Sequence, residues 1–281
     1  MGKKRIRNSS KLLDGFESSV PTRAGIKSLE AAISVLQVLA SLGRPANLTE
    51  LARLTRMPPS KIHRYLASFI RTGLMVQRQR SGQYDLGKRA LELGLAAMAR
   101  IEILNRAADR LEDIAQKTNA AALLAVWGTQ GPTIVRWQRI QTVIVSSLGL
   151  GTTFPLLNSA TGRVFLTYSP ATLTAPMLDF ELKRARSIGM RWPDLDPTDA
   201  GVRKLCRAIR EKGYATADGK FVPGLYAISA PVLNWQNEVE AVITVTNGDA
   251  ELIDPRGKVL QYVLEAAREL SIQSTGAPIP A

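Results

Sequence analysis

The 281-residue chain has one cysteine, Cys206, and one histidine, His63. A lone cysteine excludes an internal disulfide framework and fits a reducing cytoplasm, the expected compartment. The two residues together are too few for a His/Cys metal site within one chain, so no metal or other cofactor is expected. No apolar run approaches the ~20 residues a membrane span needs, and the basic N-terminus lacks the apolar segment of a secretory signal. Neither a G-x-S-x-G nucleophile elbow nor a P-loop occurs. "GLGTTF" from Gly149 starts like a dinucleotide fingerprint but lacks its third glycine and reads as a turn. A Ser-His-carboxylate triad would have to use His63, far in sequence from any pocket segment. Cys206 lies in a helical stretch, where a buried structural thiol is expected rather than a nucleophile. No enzyme activity is expected; the alternative is a metal-free enzyme acting on a small acid.

Positive charge is abundant but confined. Residues 1–100 hold 18 Lys/Arg against 6 Asp/Glu, which supplies 12 of the chain's 13 net positive charges. A basic head on a neutral body points to an anion-binding module attached to a part with another task. Residues 1–25 read as a flexible basic arm, either touching DNA phosphates or merely solvated.

From Ile26 to Lys88 the pattern is that of a small domain. Leu29, Ala32, Ile33, Leu36 and Leu39 make a helical apolar stripe ending near Gly43. In "NLTELARL", Asn47 caps a second helix with Glu50 three positions later, a capping-box variant. Pro58 and Pro59 open a third helix whose stripe is Ile62, Leu66, Phe69 and Ile70, stopped by Gly73. "LMVQRQRSGQYDLG" then gives two short strands around a turn at Ser81-Gly82. Three helices and a hairpin describe a winged helix-turn-helix, whose third helix enters the major groove. Its candidate DNA contacts are Ser60, Lys61, His63, Arg64 and Ser68, with Arg78 and Arg80 at the wing tip. Asn47 and Thr49, at the start of the second helix, join them. The partner is double-stranded DNA; the alternative is nonspecific binding through charge alone, which ignores sequence.

Residues 89–118 read as one long linker and dimerisation helix. Ala97, Leu104 and Leu111, with Ile101, Ala108 and Ala115, repeat every seven residues, an a/d-like seam. The alternative is that this seam packs inside its own domain. Residues 119–273 follow, with 274–281 as a tail. "AALLAVWG", "PTIVRWQ", "VIVSSLGL", "YAISAPVLN" and "EVEAVITVTN" read as strands, and Asn158 to Tyr168, Asp199 to Lys212 and Pro255 to Ser271 as helices. The expected fold class is α+β, with a mixed or antiparallel sheet flanked by helices.

Over about Ile26 to Leu270 the chain resembles the IclR family of bacterial transcription regulators. The resemblance is carried by "LTELARLTRMPPSKIHRYLASFIRTGLM", "YDLG" and "LELG" in the head. In the body it is carried by "FPLLNSATGRVFL", "IREKGYATADGKFVPGLYAISAPVLN" and "VEAVITVT". It implies a homodimer, often a dimer of dimers, with a GAF-like C-terminal domain that binds a small organic or aromatic acid. Such proteins repress or activate nearby catabolic genes from palindromic or pseudopalindromic operators.

The resemblance also implies a pocket lined by Ala160, Thr161 and Gly162, by Ala227, and by Thr244 and Thr246. Thr244 and Thr246 are two apart and point the same way from a strand. Two departures stand out: Ala227 occupies a position where many members have cysteine, and no acidic residue stands at Ala217, though Asp218 is adjacent. The expected pocket is less polar than usual, suited to an effector with a large apolar or aromatic part. Trp127, Arg136 and Trp137 on early strands are candidates to line it, with Arg136 as carboxylate partner; packing is the alternative for both tryptophans.

Overall fold

A computed structural model describes residues 25–78, 81–100, 102–139, 148–190, 192, 194–219 and 222–271. Arg80, residues 143–147 of the expected "VIVSSLGL" strand, and the two terminal tails lie outside that set; residues 148–150 carry no strand. The chain divides into two compact units meeting between Arg100 and Ile101.

In the first unit, helices α1 (Lys27–Leu42), α2 (Leu48–Thr55) and α3 (Pro59–Arg71) precede a hairpin of β1 (Met75–Gln77) and β2 (Tyr84–Leu86). Helix α4 (Lys88–Met98) follows. Leu51, Ile62, Leu66 and Met75 are fully buried at the centre of its core. The hairpin is tied back to the α1–α2 connection by two backbone bonds between Ala46 and Tyr84, 2.8 and 3.0 Å. The wing thereby gains a third pairing residue that a two-stranded ribbon alone would lack.

Two expected stripes are rotated. Helix α1 buries Ala32, Val35, Val38 and Leu39, whereas Leu29 and Ile33 are exposed. On α3, Ile62, Leu66 and Phe69 are buried and Ile70 is exposed. Each misplaced side chain lies roughly 40–100° outside the buried arc, a distinction that apolar spacing alone does not draw in a short helix.

The expected single linker helix is two helices. α4 ends at Met98, and α5 (Glu102–Thr118) belongs to the second unit. Leu104, Leu111 and Ala115 of the seam are buried together with Ile103, Ala107 and Ile114, against that unit's own sheet and last helix. For α5 the alternative of packing inside its own domain holds. α4, by contrast, buries nothing: Leu91, Leu93 and Leu95 are exposed.

Among the described residues the second unit holds a five-stranded antiparallel sheet of β3 (Ala121–Gly128), β4 (Gly131–Gln138), β5 (Ala215–Asp218), β6 (Tyr226–Leu233) and β7 (Val239–Asn247). The strand order is β4-β3-β7-β6-β5. Helices α5 and α9 (Lys258–Leu270) pack on one face, joined by Arg106 donating to the Leu270 carbonyl and an Arg110–Glu269 ion pair. On the other face lies α6 (Ala160–Tyr168), with α8 (Asp199–Lys212) beside it. Helix α7 (Ala171–Ser187) has no counterpart in the sequence reading. It buries only Thr174, Leu182 and Ala185 and contains Pro176, so its apolar periodicity is weak.

Candidate functional site

The exposed face of α3 carries every residue expected there: Ser60, Lys61, His63, Arg64 and Ser68 are all solvent-facing. Ser68 donates back to the Arg64 carbonyl, 3.1 Å, and the Lys61 ammonium lies 5.8 Å from the Tyr65 ring centroid. Neither contact neutralises charge. Arg71 is exposed too; it lies two helical turns beyond Arg64 on the same face, a seven-residue spacing that the sequence itself carries. Asn47 accepts the Glu50 N–H at 2.8 Å as the α2 cap. The capping box is only half closed, because the Glu50 carboxylate turns to Arg44 at 2.7 and 3.2 Å. That contact holds the Glu50 carboxyl below its ordinary value. Thr49 is exposed. Arg78 bridges the hairpin to Asp85 at 2.7 Å, and Arg80 lies outside the described residues.

In the second unit the expected pocket residues converge. Residues of β6 and β7 pair so that Ala227 lies between Ala217 and Thr246 in one row, and Ser229 between Ala215 and Thr244 in the next. The N-terminus of α6 sits on these rows. Ser159 caps it by accepting the Gly162 N–H at 2.9 Å while donating to the Pro155 carbonyl at 2.6 Å. Thr161 is thereby set against the sheet. Its hydroxyl is 2.8 Å from that of Thr244 and 3.4 Å from that of Ser229, and Ser229 and Thr244 are 2.7 Å apart. All three are buried. This hydroxyl cluster can donate or accept, and so could rearrange around a carboxylate or phenol. Ser229 escaped the sequence reading because "AISAP" looks like plain strand; its register opposite Thr244 is what reveals it. Thr246 instead donates to the Tyr226 carbonyl at 2.7 Å.

The sheet register turns Arg136 away from the expected pocket. It pairs opposite Leu124, whereas Leu123 pairs with both Trp137 and Thr244. Alternation places Arg136 on the face opposite Thr161, where it cannot meet a ligand held by the hydroxyls. A register shift in β4 beside this point is the reason that counting along the strand misleads. Trp137 is the residue on the pocket face, and its buried indole N–H has no hydrogen-bond partner among the described residues. Trp127 shares that face and meets Phe165 edge-on, centroids 5.8 Å apart.

Two further groups hold α6 in place. Arg163 donates to the Leu157 carbonyl at 2.9 Å and forks onto Asp194 at 2.5 and 3.2 Å. Glu181 of α7 accepts the N–H groups of Leu156 and Leu157 at 2.7 and 2.9 Å. Burial pushes the Glu181 carboxyl above its ordinary value of 4.5, opposed by those two N–H groups and by Arg184. The native state therefore holds this proton more tightly than the unfolded chain. The group's contribution to stability falls as pH rises from 4.5 through the raised native value. Glu181→Ala leaves two interior N–H groups without acceptors and is expected to destabilise by about 2–4 kcal/mol in urea denaturation. Glu181→Gln is expected to lose the pH dependence instead.

A cavity of about 1000 Å³ opens elsewhere in this unit, lined among others by Arg163, Trp192, Asp194, Lys204, Lys212 and Tyr214. Thr161, Ala227, Thr244 and Thr246 take no part in it. The three hydroxyls are buried and bonded to one another, and this cavity lies at a different place in the unit. Among the described residues no helix is long and apolar enough to cross a membrane.

Residues 28–79 match the family model of the IclR helix-turn-helix domain, and residues 95–272 that of the bacterial transcriptional regulator IclR C-terminal domain. The HTH-type transcriptional regulator BhcR of Paracoccus denitrificans is 28% identical over 251 residues, spanning 88% of this chain and 87% of BhcR. The crystal structure of Pseudomonas aeruginosa HmgR is 33% identical with a TM-score of 0.69, over 88% of this chain and 98% of HmgR. An IclR homologue from Microbacterium hydrocarbonoxydans, crystallised with 4-hydroxybenzoate, shares the fold at a TM-score of 0.72 and 18% identity, over 89% of this chain and all of that one.

Proposed function

Because the chain belongs to the IclR family of transcriptional regulators, with a DNA-binding helix-turn-helix head and an effector domain, we propose that it is a ligand-responsive switch on a palindromic or pseudopalindromic operator. The observation that carries this reading is the α3 face, where Lys61, Arg64 and Arg71 are solvent-exposed in a region that holds almost all of the chain's net charge. Arg64 reads base edges in the major groove, and Arg78 holds backbone phosphate from the wing. The protein acts as a homodimer, since two half-sites need two heads. The exposed apolar side chains of α1 (Leu29, Ile33) and α4 (Leu91, Leu95) support such pairing, being surface that a monomer would leave wet. The effector is a small organic acid with an aromatic or other apolar part. Ala217 and Ala227 in the row beside the hydroxyl cluster support it, as does the 4-hydroxybenzoate bound by the Microbacterium homologue. Binding shifts the balance between two arrangements of the heads by differential affinity for them.

The test is to mix the protein with sheared DNA from its source genome at near-physiological salt and sequence what is retained. One or a few enriched imperfect palindromes is the expected result. Uniform retention would replace operator recognition with charge-driven binding.

A further inference from the structure

We propose that the cleft between α8 and the segment around Trp192 and Leu195 is a second small-molecule site, built for an organic anion with an aromatic body. It is separate from the hydroxyl cluster under α6. The residues of α8 that line it, Gly201, Lys204, Leu205, Ala208, Ile209 and Lys212, fall three and four apart and so form one helix face. Lys204 and Lys212 stand eight residues apart, ~12 Å along the axis, with only Ala208 between them. That leaves a shallow trough with an ammonium at each end. Leu205, Ile209 and Ala215 give it an apolar floor, and Trp192 and Tyr214 give it aromatic walls.

The charge of this cleft is not balanced from within. Beside Arg163, which is paired, Arg186 at the end of α7 joins Lys204 and Lys212 in the lining, and none of these three has an ion-pair partner among the described residues. Two carboxylates also line it: Asp194 pairs with Arg163, and Asp196, which accepts from the Thr198 hydroxyl at 3.1 Å, keeps its charge, so the basic residues outnumber the acidic ones. An apolar floor with a few convergent cations is the composition of a site for an amphiphilic anion. The cleft wall is sterically defined as well. A Cβ on Gly201 would stand 2.2 Å from the Asp196 carbonyl oxygen, so only glycine lets this segment approach α8 so closely.

Position gives the cleft a consequence. Arg163 lines it, and also follows Thr161 and Gly162 directly on α6. An anion that competes with Asp194 for Arg163 bears on the helix whose N-terminus lies on the hydroxyl cluster.

The experiment titrates 2,6-naphthalenedicarboxylate, an aromatic dianion, into the full-length protein by calorimetry at near-physiological salt. The wild type is compared with Lys204→Glu/Lys212→Glu and with Thr244→Val. The double variant is expected to bind about 10-fold or more weakly, with thermal stability and DNA affinity unchanged, while Thr244→Val retains binding. Equal affinity in the double variant overturns the proposal, as does a loss confined to Thr244→Val, which would place the probe at the hydroxyl cluster. Failure of the wild type to bind at millimolar concentrations overturns it too. None of these outcomes touches operator recognition, which is read on DNA.

Discussion

Arg64→Ala is expected to weaken binding to the selected operator by roughly 10- to 100-fold while leaving affinity for random DNA nearly unchanged. Arg64 is exposed on the middle of α3, two positions from the buried anchor Ile62 and two from Leu66. The helix is therefore held rigidly by its buried side while the guanidinium is free to fork onto a guanine edge. A bidentate contact of that kind discriminates by ~1–3 kcal/mol against the wrong base. Arg78→Ala is the contrasting change. Its guanidinium lies on the wing in an ion pair with Asp85, and a phosphate contact there strengthens all sequences alike. Fluorescence anisotropy on operator and scrambled duplexes separates the two. Equal losses from both variants on both duplexes would remove α3 from the readout.

Gly162→Ala is expected to be the most damaging single methyl in the second unit. The added Cβ would stand 1.9 Å from the Pro155 carbonyl oxygen and 2.7 Å from the Leu156 Cα. Those are backbone atoms, already held by Glu181 and by the Ser159 hydroxyl, so no flexible side chain can yield. Helix α6 must lift from the 155–157 segment, taking Thr161 away from Ser229 and Thr244. Overpacking that moves backbone costs ~3 kcal/mol or more, or a Tm lower by roughly 6–12 °C in a domain of this size. Gly94→Ala is the internal control. A Cβ there meets nothing within 4 Å, and removing a mid-helix glycine from α4 stabilises by ~0.5–1 kcal/mol. Scanning calorimetry of both variants is the check, and a Gly162→Ala profile like that of wild type would refute the close-packed reading of this turn.

The elements legible in the sequence are those with strong local signals. β3 runs over the residues quoted for it, α8 starts at Asp199 behind the Thr198 cap, and the wing turns at Ser81-Gly82. In each case an alternation, a cap or a turn residue is sufficient by itself. What escaped depends on partners distant in sequence. α7 is held by a few buried contacts and by Glu181 reaching back to Leu156 and Leu157, which no periodicity announces. β5 is four residues long and becomes a strand only by pairing with β6. The break between α4 and α5 was hidden because both helices carry apolar residues at seven-residue intervals. For α5 that repeat is satisfied by the sheet and α9 beneath it.

The candidate site divides in the same way. Thr161 and Thr244 were legible as positions through the family resemblance, but their direct hydroxyl contact needs the sheet register. Ser229 and the misdirected Arg136 follow from that register alone, one brought to the cluster and the other turned away from it. The cleft beside α8 was invisible for a different reason. Lys204 and Lys212 look like ordinary solvated lysines until a segment some ten to twenty residues earlier folds across from them.

The measurement that bears most directly on the account is the affinity of the protein for its selected operator and for random duplex of equal length, across a range of salt. Sequence-specific regulation predicts an operator bound ~10³–10⁷-fold more tightly at fixed physiological salt. Both affinities should fall with salt, because phosphate contacts are common to the two modes. A ratio near one at every salt concentration would contradict the account, leaving the basic head as a charge-driven nucleic-acid binder.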